Sequence, residues 1–179
     1  PATLGEFQWF AGLGVKATKQ AIDSLGLVPA EPGSDRLLLP DDVAAFKELE
    51  APTSPQYSLV SSLDPITANR REMQSLIDDE DRERTVMVDA ASKTVGGLAD
   101  LPSHAILDRG QIVGLWEFDQ SAGSIVWATF RRTRDKALAA AVEETEAFVR
   151  EQLGDARSFS LDSPKSRVAR LESLRSMGR

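Results

Sequence analysis

HAILDRGQIVGLWEFDQSAGSIVWATF, residues 104–130, holds two of the chain's three tryptophans and its single histidine. It is rich in β-branched and aromatic residues, and is punctuated by an Arg109-Gly110 turn and a loop at 119–123. Both connections are too short for a parallel crossover, so the stretch reads as an antiparallel meander. Symmetric pairing across the loops sets Trp116 opposite Val126, on one face with Ile112, Phe118 and Phe130. The same pairing sets Trp127 opposite Leu115, with His104 nearby. Both faces are apolar, and such a sheet is covered by helices on each side or curled into a small barrel. Alternating aromatics of this kind fill cores. His104, with no recognisable serine or cysteine partner motif, reads as structural rather than as a general base.

Downstream, DKALAAAVEETEAFVREQLG (135–154) carries an apolar stripe of Leu138, Val142, Phe148, Val149 and Leu153 and predicts a helix over one side of the meander. RSFSL (157–161) reads as a last strand. Asp162 or Ser163 before Pro164 starts a basic amphipathic helix, PKSRVARLESLRSM, with Val168, Leu171 and Leu174 on its apolar side. Upstream, YSLVSSL (57–63) and TVMVD (85–89) have strand composition. They flank DPITANRREMQSLIDDEDRE, a polar, helix-like segment that ends in acidic residues.

The beginning of the chain follows a different rhythm. TLGEFQWFAGL (3–13) places Leu4, Phe7, Trp9, Phe10 and Leu13 at helical spacing behind a Thr3/Glu6 cap, facing a core. VKATKQAIDSLG makes a second helix that stops at Gly26. LVPAEPGSDRLLLP then reads as a hairpin around Pro-Gly-Ser-Asp. PDDVAAFKELE adds a short helix before a proline-rich linker at 51–55. Two helices and a hairpin are the end of a winged helix. The expected fold class is therefore α+β, with a winged-helix domain over 1–50 and an antiparallel, β-rich, barrel-like domain covered by helices over 56–179.

Composition narrows the chemistry. The 179 residues include no cysteine and one histidine, which excludes disulfides, thiolate nucleophiles and cysteine- or histidine-rich metal sites. Asp78-Asp79-Glu80-Asp81 lacks the spacing and glycine of a calcium loop and reads as a solvated acidic run. No phosphate-cradling glycine loop or GxSxG elbow is present. The reading is no metal, no cofactor and no catalytic residue. No apolar run is long enough for a membrane span and no leader is recognisable, so a cytoplasmic protein is expected, while a start at Pro1 suggests a fragment. The net charge of −7 opposes indiscriminate nucleic-acid binding, yet residues 155–179 carry six basic and three acidic side chains. Three basic features stand out as phosphate contacts: Lys16 with Lys19 on the second helix, Arg131, Arg132 and Arg134 after the meander, and the C-terminal helix with Lys165, Arg167, Arg170 and Arg175. The hairpin offers only Arg36 against Glu31 and Asp35, a poor wing for DNA.

TLGEFQWFAGLGVKATKQAI, RLLLPDDVAAF, YSLVSSLDPITANRR and HAILDRGQIVGLWEFD with SIVW together resemble the C-terminal half of the winged-helix DNA-binding family that includes the AlkZ/YcaQ-like DNA glycosylases. The resemblance implies tandem winged helices followed by a barrel-like β domain, with double-stranded DNA as partner and a role in DNA repair or resistance to alkylating compounds. It also implies a Gln-x-Gln or Gln-x-Asp motif that positions water for N-glycosidic hydrolysis. None of Gln8, Gln20, Gln56, Gln74, Gln111, Gln120 and Gln152 forms one, so the chain by itself is expected to be non-catalytic. DPITANRR is similar to a family DP-x-x-x-x-R-R landmark, which adds Asp64, Arg70 and Arg71 as DNA-contact candidates. The rival reading is a small-molecule-binding or protein-interaction module that uses the aromatic sheet.

Overall fold

The computed structural model describes residues 1–68, 73–88, 91–133 and 135–177. The chain divides into two compact units, Pro1–Ala51 and Pro52–Arg179.

In the first unit, helix α1 (Leu4–Ala11) begins at a reciprocal cap. The Glu6 amide donates to Thr3 Oγ1 at 3.1 Å and the Thr3 amide donates to Glu6 Oε2 at 2.8 Å, satisfying two amides that a helix start leaves open. Gly12, in the left-handed region at φ 63°, ends α1, and α2 (Val15–Ile22) follows. Strands β1 (Val28–Pro29) and β2 (Leu37–Leu38) form the expected hairpin, followed by α3 (Val43–Glu48). β2 also bridges Ala2, and Arg36 grips Glu6 with two hydrogen bonds of 3.0 Å, which ties the hairpin to α1. One expectation needs correction. No α1 residue is buried, and Trp9 and Phe10 are 53% and 67% exposed, because Phe7 and Leu13, both half-buried, already occupy the inward side.

The second unit is built on a four-stranded antiparallel sheet of β3 (Tyr57–Val60), β6 (His104–Asp108), β7 (Gln111–Asp119) and β8 (Ser124–Thr129), in that order. Short α4 (Pro65–Ala68) follows β3, and β4 (Thr85–Val88) pairs with β5 (Ala91–Thr94) as a separate hairpin. α5 (Lys136–Phe148), extended by one wide turn at Val149–Leu153, lies on one sheet face. α6 (Pro164–Met177) lies on the other, with proline at its start as expected. On the α5 side Ile106, Trp116, Phe118 and Ile125 meet Leu138, Val142 and Val149. On the α6 side Ala105, Leu107, Ile112, Leu115, Ala128 and Phe130 meet Leu174 and the residues Met73, Leu76, Ile77 and Val95.

The meander forms, but its register differs from symmetric pairing. Trp116 pairs with Trp127, because Asp119 extends β7 and pairs with Ser124, shortening the loop by one residue, and His104 pairs with Trp116, because the β6–β7 ladder shifts by one residue between Ile106 and Leu107. A bulge near Val113, where Ile106 pairs with Gly114 and Leu107 with Ile112, flips the alternation. Ile112 and Phe130 consequently sit on the face opposite Trp116. Among the described residues no barrel closes: β3 and β8 are sheet edges. Two helices already cover the apolar faces, so burial needs no closure. Residues 157–161 form a turn, not a strand, and Phe148 and Leu153 are exposed where the wide turn rotates them off the α5 stripe. Among the described residues of 64–83, helix occurs at α4 and in two single turns, Gln74–Leu76 and Asp79–Asp81. The turn of β6–β7 puts Arg109 at φ 50° and Gly110 at φ 85°, the paired positive values that a two-residue hairpin needs.

Candidate nucleic-acid surface and buried charge cluster

Four of the basic side chains singled out by the sequence, Arg131, Arg167, Arg170 and Arg175, are already held in ion pairs within the protein. Arg131 meets Asp78 at 2.8 Å, Asp81 at 3.0 Å and Glu80 at 3.3 Å, and these ion pairs and hydrogen bonds raise its pKa. The acidic run therefore does more than face solvent: Asp81 is buried and also holds Arg84 at 2.6 Å. No group of three or more metal-ligating side chains occurs among the described residues. On α6, Arg175 pairs with Asp119 at 2.6 Å, while Arg167 and Arg170 turn inward. Lys16 and Lys19 of α2 and Arg132 after β8 are exposed and carry no ion pair among the described residues. Asp64 is a cap: its Oδ1 accepts the Ile66 amide at 2.9 Å and its carbonyl accepts the Thr67 and Ala68 amides. Arg70, Arg71 and Arg134 lie outside the described residues.

Beneath α6 lies a charge cluster that the sequence reading missed. Arg167 and Glu117 are both 0% exposed. The Arg167 guanidinium donates to Asp162 (2.8 Å), Asp155 (2.7 Å) and the Phe118 carbonyl (2.7 Å). Arg170 donates to Glu117 and to Asp162, each at 2.6 Å. Ser158 adds its hydroxyl to the Glu117 carboxylate at 2.9 Å and its amide to Asp162 at 3.2 Å. Burial alone raises the Asp162 pKa, but Arg170, the Ser158 amide and Arg167 together bring it down to about 2. A signal was available. A glutamate between Trp116 and Phe118, in a strand apolar on both faces, needs a buried partner, and Arg167 and Arg170 are one helical turn apart.

His104 closes the cluster at one end. Its ring stacks on Trp116 with centroids 4.3 Å apart. Its Nδ1 accepts the Ser62 amide at 3.0 Å, which places the proton of the neutral ring on Nε2, and Nε2 is buried without a hydrogen-bond partner. Burial pushes the imidazole pKa below its ordinary value; Glu117 and the Ala156 carbonyl oppose this, and Arg167 reinforces it. With no carboxylate on Nε2 and Trp116 only 3% exposed, this is no general-base site in an open cleft. Among the described residues the aromatic sheet is covered by α5 on one face and by α6 on the other. An open groove of about 770 Å³ lies beside it. Its walls are the β3–α4 junction, the β4–β5 hairpin, loop 97–102 and the start of α6, and Lys93, Phe159 and Arg170 line it. Arg170 stands 5.2 Å from the Phe159 ring centre.

A covered antiparallel sheet over an internal arginine cluster, and a first unit of helices with a hairpin, make this a two-unit α+β protein. The chain belongs to the AlkZ-like DNA glycosylase family, whose model matches residues 1–150. Among solved structures, the Streptomyces sahachiroi DNA glycosylase AlkZ is similar, with a TM-score of 0.52 and 19% identity over 83% of this chain. At that identity the likeness speaks to the fold. The match covers 38% of the AlkZ chain, so this chain spans well under half the length of that protein. No curated protein sequence matches the chain. No helix among the described residues is long and apolar enough to cross a membrane.

Proposed function

We propose that this chain is a DNA-contacting portion of an AlkZ-like DNA glycosylase, with a winged-helix first unit, double-stranded DNA as partner, and no base excision of its own. One observation carries the reading: the family match runs through both units, and the first of them presents Lys16 and Lys19 unpaired on its second helix. Phosphate contact needs cations that are free to replace condensed counterions. Lys16, Lys19 and Arg132 meet that requirement, and Arg70, Arg71 and Arg134 complete the proposed set. Arg131 contributes by exchanging one of its carboxylates for phosphate, and Asp64 by fixing the start of the segment that leads to Arg70. The acidic body favours a restricted contact over broad, non-specific coating. The intact enzyme's repair role, and its residence in the cytoplasm, belong to the same proposal.

Fluorescence anisotropy with undamaged and alkylated duplexes at low salt, run beside a base-release assay on the same DNA, tests both halves. Binding to both duplexes without base release is expected. Undetectable binding at low salt rejects the DNA contact, and release of a base rejects the non-catalytic assignment.

A further inference from the structure

His104 is the chain's one histidine, is 1% exposed, and sits where three segments meet. A chain of hydrogen bonds starts at its ring. Nδ1 accepts the Ser62 amide, the Ser62 hydroxyl donates to the Ser158 carbonyl, the Ser158 hydroxyl donates to Glu117, and Glu117 accepts from Arg170. Ser62, Ser158, Phe159 and Arg170 are also groove-lining residues. The imidazole thus anchors, through Ser62, both the β3–α4 junction and the connector 155–162 that together form one wall of the groove.

We propose that His104 is a proton-operated latch on this groove: neutral, it holds Ser62 and through it the 155–162 connector; protonated, it drops the Ser62 amide and frees that wall. The chemistry is direct. A second ring proton must go on Nδ1, where it faces the Ser62 N–H donor to donor, and the Ser62 hydroxyl, 3.5 Å from Nδ1, is already committed to the Ser158 carbonyl. The charged groups that face the ring are Glu117 from β7 and Asp162 and Arg167 from α6 and its approach. Arg170 and Asp155 complete the cluster, so two buried guanidiniums meet three carboxylates, with the exposed Arg157 3.9 Å from Asp155. Burial disfavours the imidazolium, while the surplus carboxylate keeps protonation within reach. Opening relieves the ring of its buried environment, so acid opens the wall. The inference stands on the groove geometry and does not depend on DNA binding.

The test uses the 179-residue chain labelled with 15N and 13C, because a lone histidine gives an unambiguous ring titration. Three readouts are followed: the His104 ring shifts, amide hydrogen exchange at Ser62, Ser158 and Asp162, and exchange at the core amides of Ile106 and Leu115 as the record of global unfolding. The expected result is an Nε2–H tautomer titrating below 6.5, with the three wall amides losing protection over the same range, relative to intrinsic exchange, by up to about tenfold per pH unit while the core amides stay protected. His104→Asn keeps an acceptor near Nδ1 without a titratable ring, and its wall amides are expected to show no such acid loss. Wall protection that is flat through the ring titration overturns the proposal, as does loss only in step with the core or a ring silent until unfolding. Equal acid sensitivity in His104→Asn does the same. Should that variant fail to fold, agreement or disagreement of the ring and wall midpoints in the unsubstituted chain decides.

Discussion

Replacing Arg167 with leucine strikes the centre of the second unit. Arg167→Leu removes hydrogen bonds to Asp162, Asp155 and the Phe118 carbonyl, and leaves Asp162 and the fully buried Glu117 sharing Arg170 alone. Removing one partner of a buried ion pair costs about 3–5 kcal/mol, because the remaining charge has lost its water and gained nothing in return. Arg167→Lys keeps the charge but loses the planar fork that reaches three acceptors, and falls between the two. The assay is urea unfolding at neutral pH, followed by Trp116 and Trp127 emission in a Trp9→Phe background so that the first unit stays silent. An unchanged slope with a lower midpoint is expected. The cost is expected to shrink in strong acid, where protonated carboxylates no longer need the guanidinium. A loss below about 1 kcal/mol for Arg167→Leu, equal at neutral and acid pH, refutes the reasoning, since it makes the cluster energetically no different from a surface ion pair.

Other changes test separate parts of the account. A Cβ on Gly114 runs into the Ala128 carbonyl oxygen and comes within 2.9 Å of Thr129 Cα, so Gly114→Ala forces β7 and β8 apart and lowers stability by roughly 2–3 kcal/mol, measured by the same unfolding assay. Thr3→Ala removes half of the α1 cap and costs about 1 kcal/mol in the first unit, with the emission midpoint of Trp116 and Trp127 unmoved. Acid acts in two windows. His104, with a folded pKa below 6.5, gives stability that is present above about 6.5 and declines as pH falls below it. Asp162, held at about 2 against 3.8, gives roughly 2 kcal/mol that is present above 3.8 and lost as pH falls toward 2. Unfolding free energies across acid pH, in the unsubstituted chain and in His104→Asn, separate the two.

How much the sequence revealed depended on whether the signal was local. Turns and caps are local, and Thr3 with Glu6, Arg109-Gly110 and Pro164 each marked its element correctly. The meander between covering helices followed from short connections and two apolar faces. Register did not, because one extra ladder pair at Asp119–Ser124 and one bulge near Val113 bring Trp127 to the face of Trp116 and send Phe130 and Ile112 to the other, while Phe118 stays with Trp116. The barrel expectation failed for the complementary reason: α5 and α6 bury what closure would otherwise bury. At the candidate site, composition made α6 look like a basic surface, whereas its arginines are bound to Glu117, Asp119, Asp155 and Asp162, up to 56 positions away. Pairings so distant leave no periodicity to read. Their trace is only a charge where none belongs, such as Glu117 between two buried aromatics.

The salt dependence of duplex binding bears most directly on the claim that free cations, and not the paired arginines of α6, meet DNA. Lys16→Ala with Lys19→Ala is expected to weaken binding and to flatten the plot of log affinity against log salt by about two phosphate contacts, while Arg175→Ala leaves the slope unchanged. An unaltered slope in the lysine variant together with a flatter one for Arg175→Ala contradicts the account.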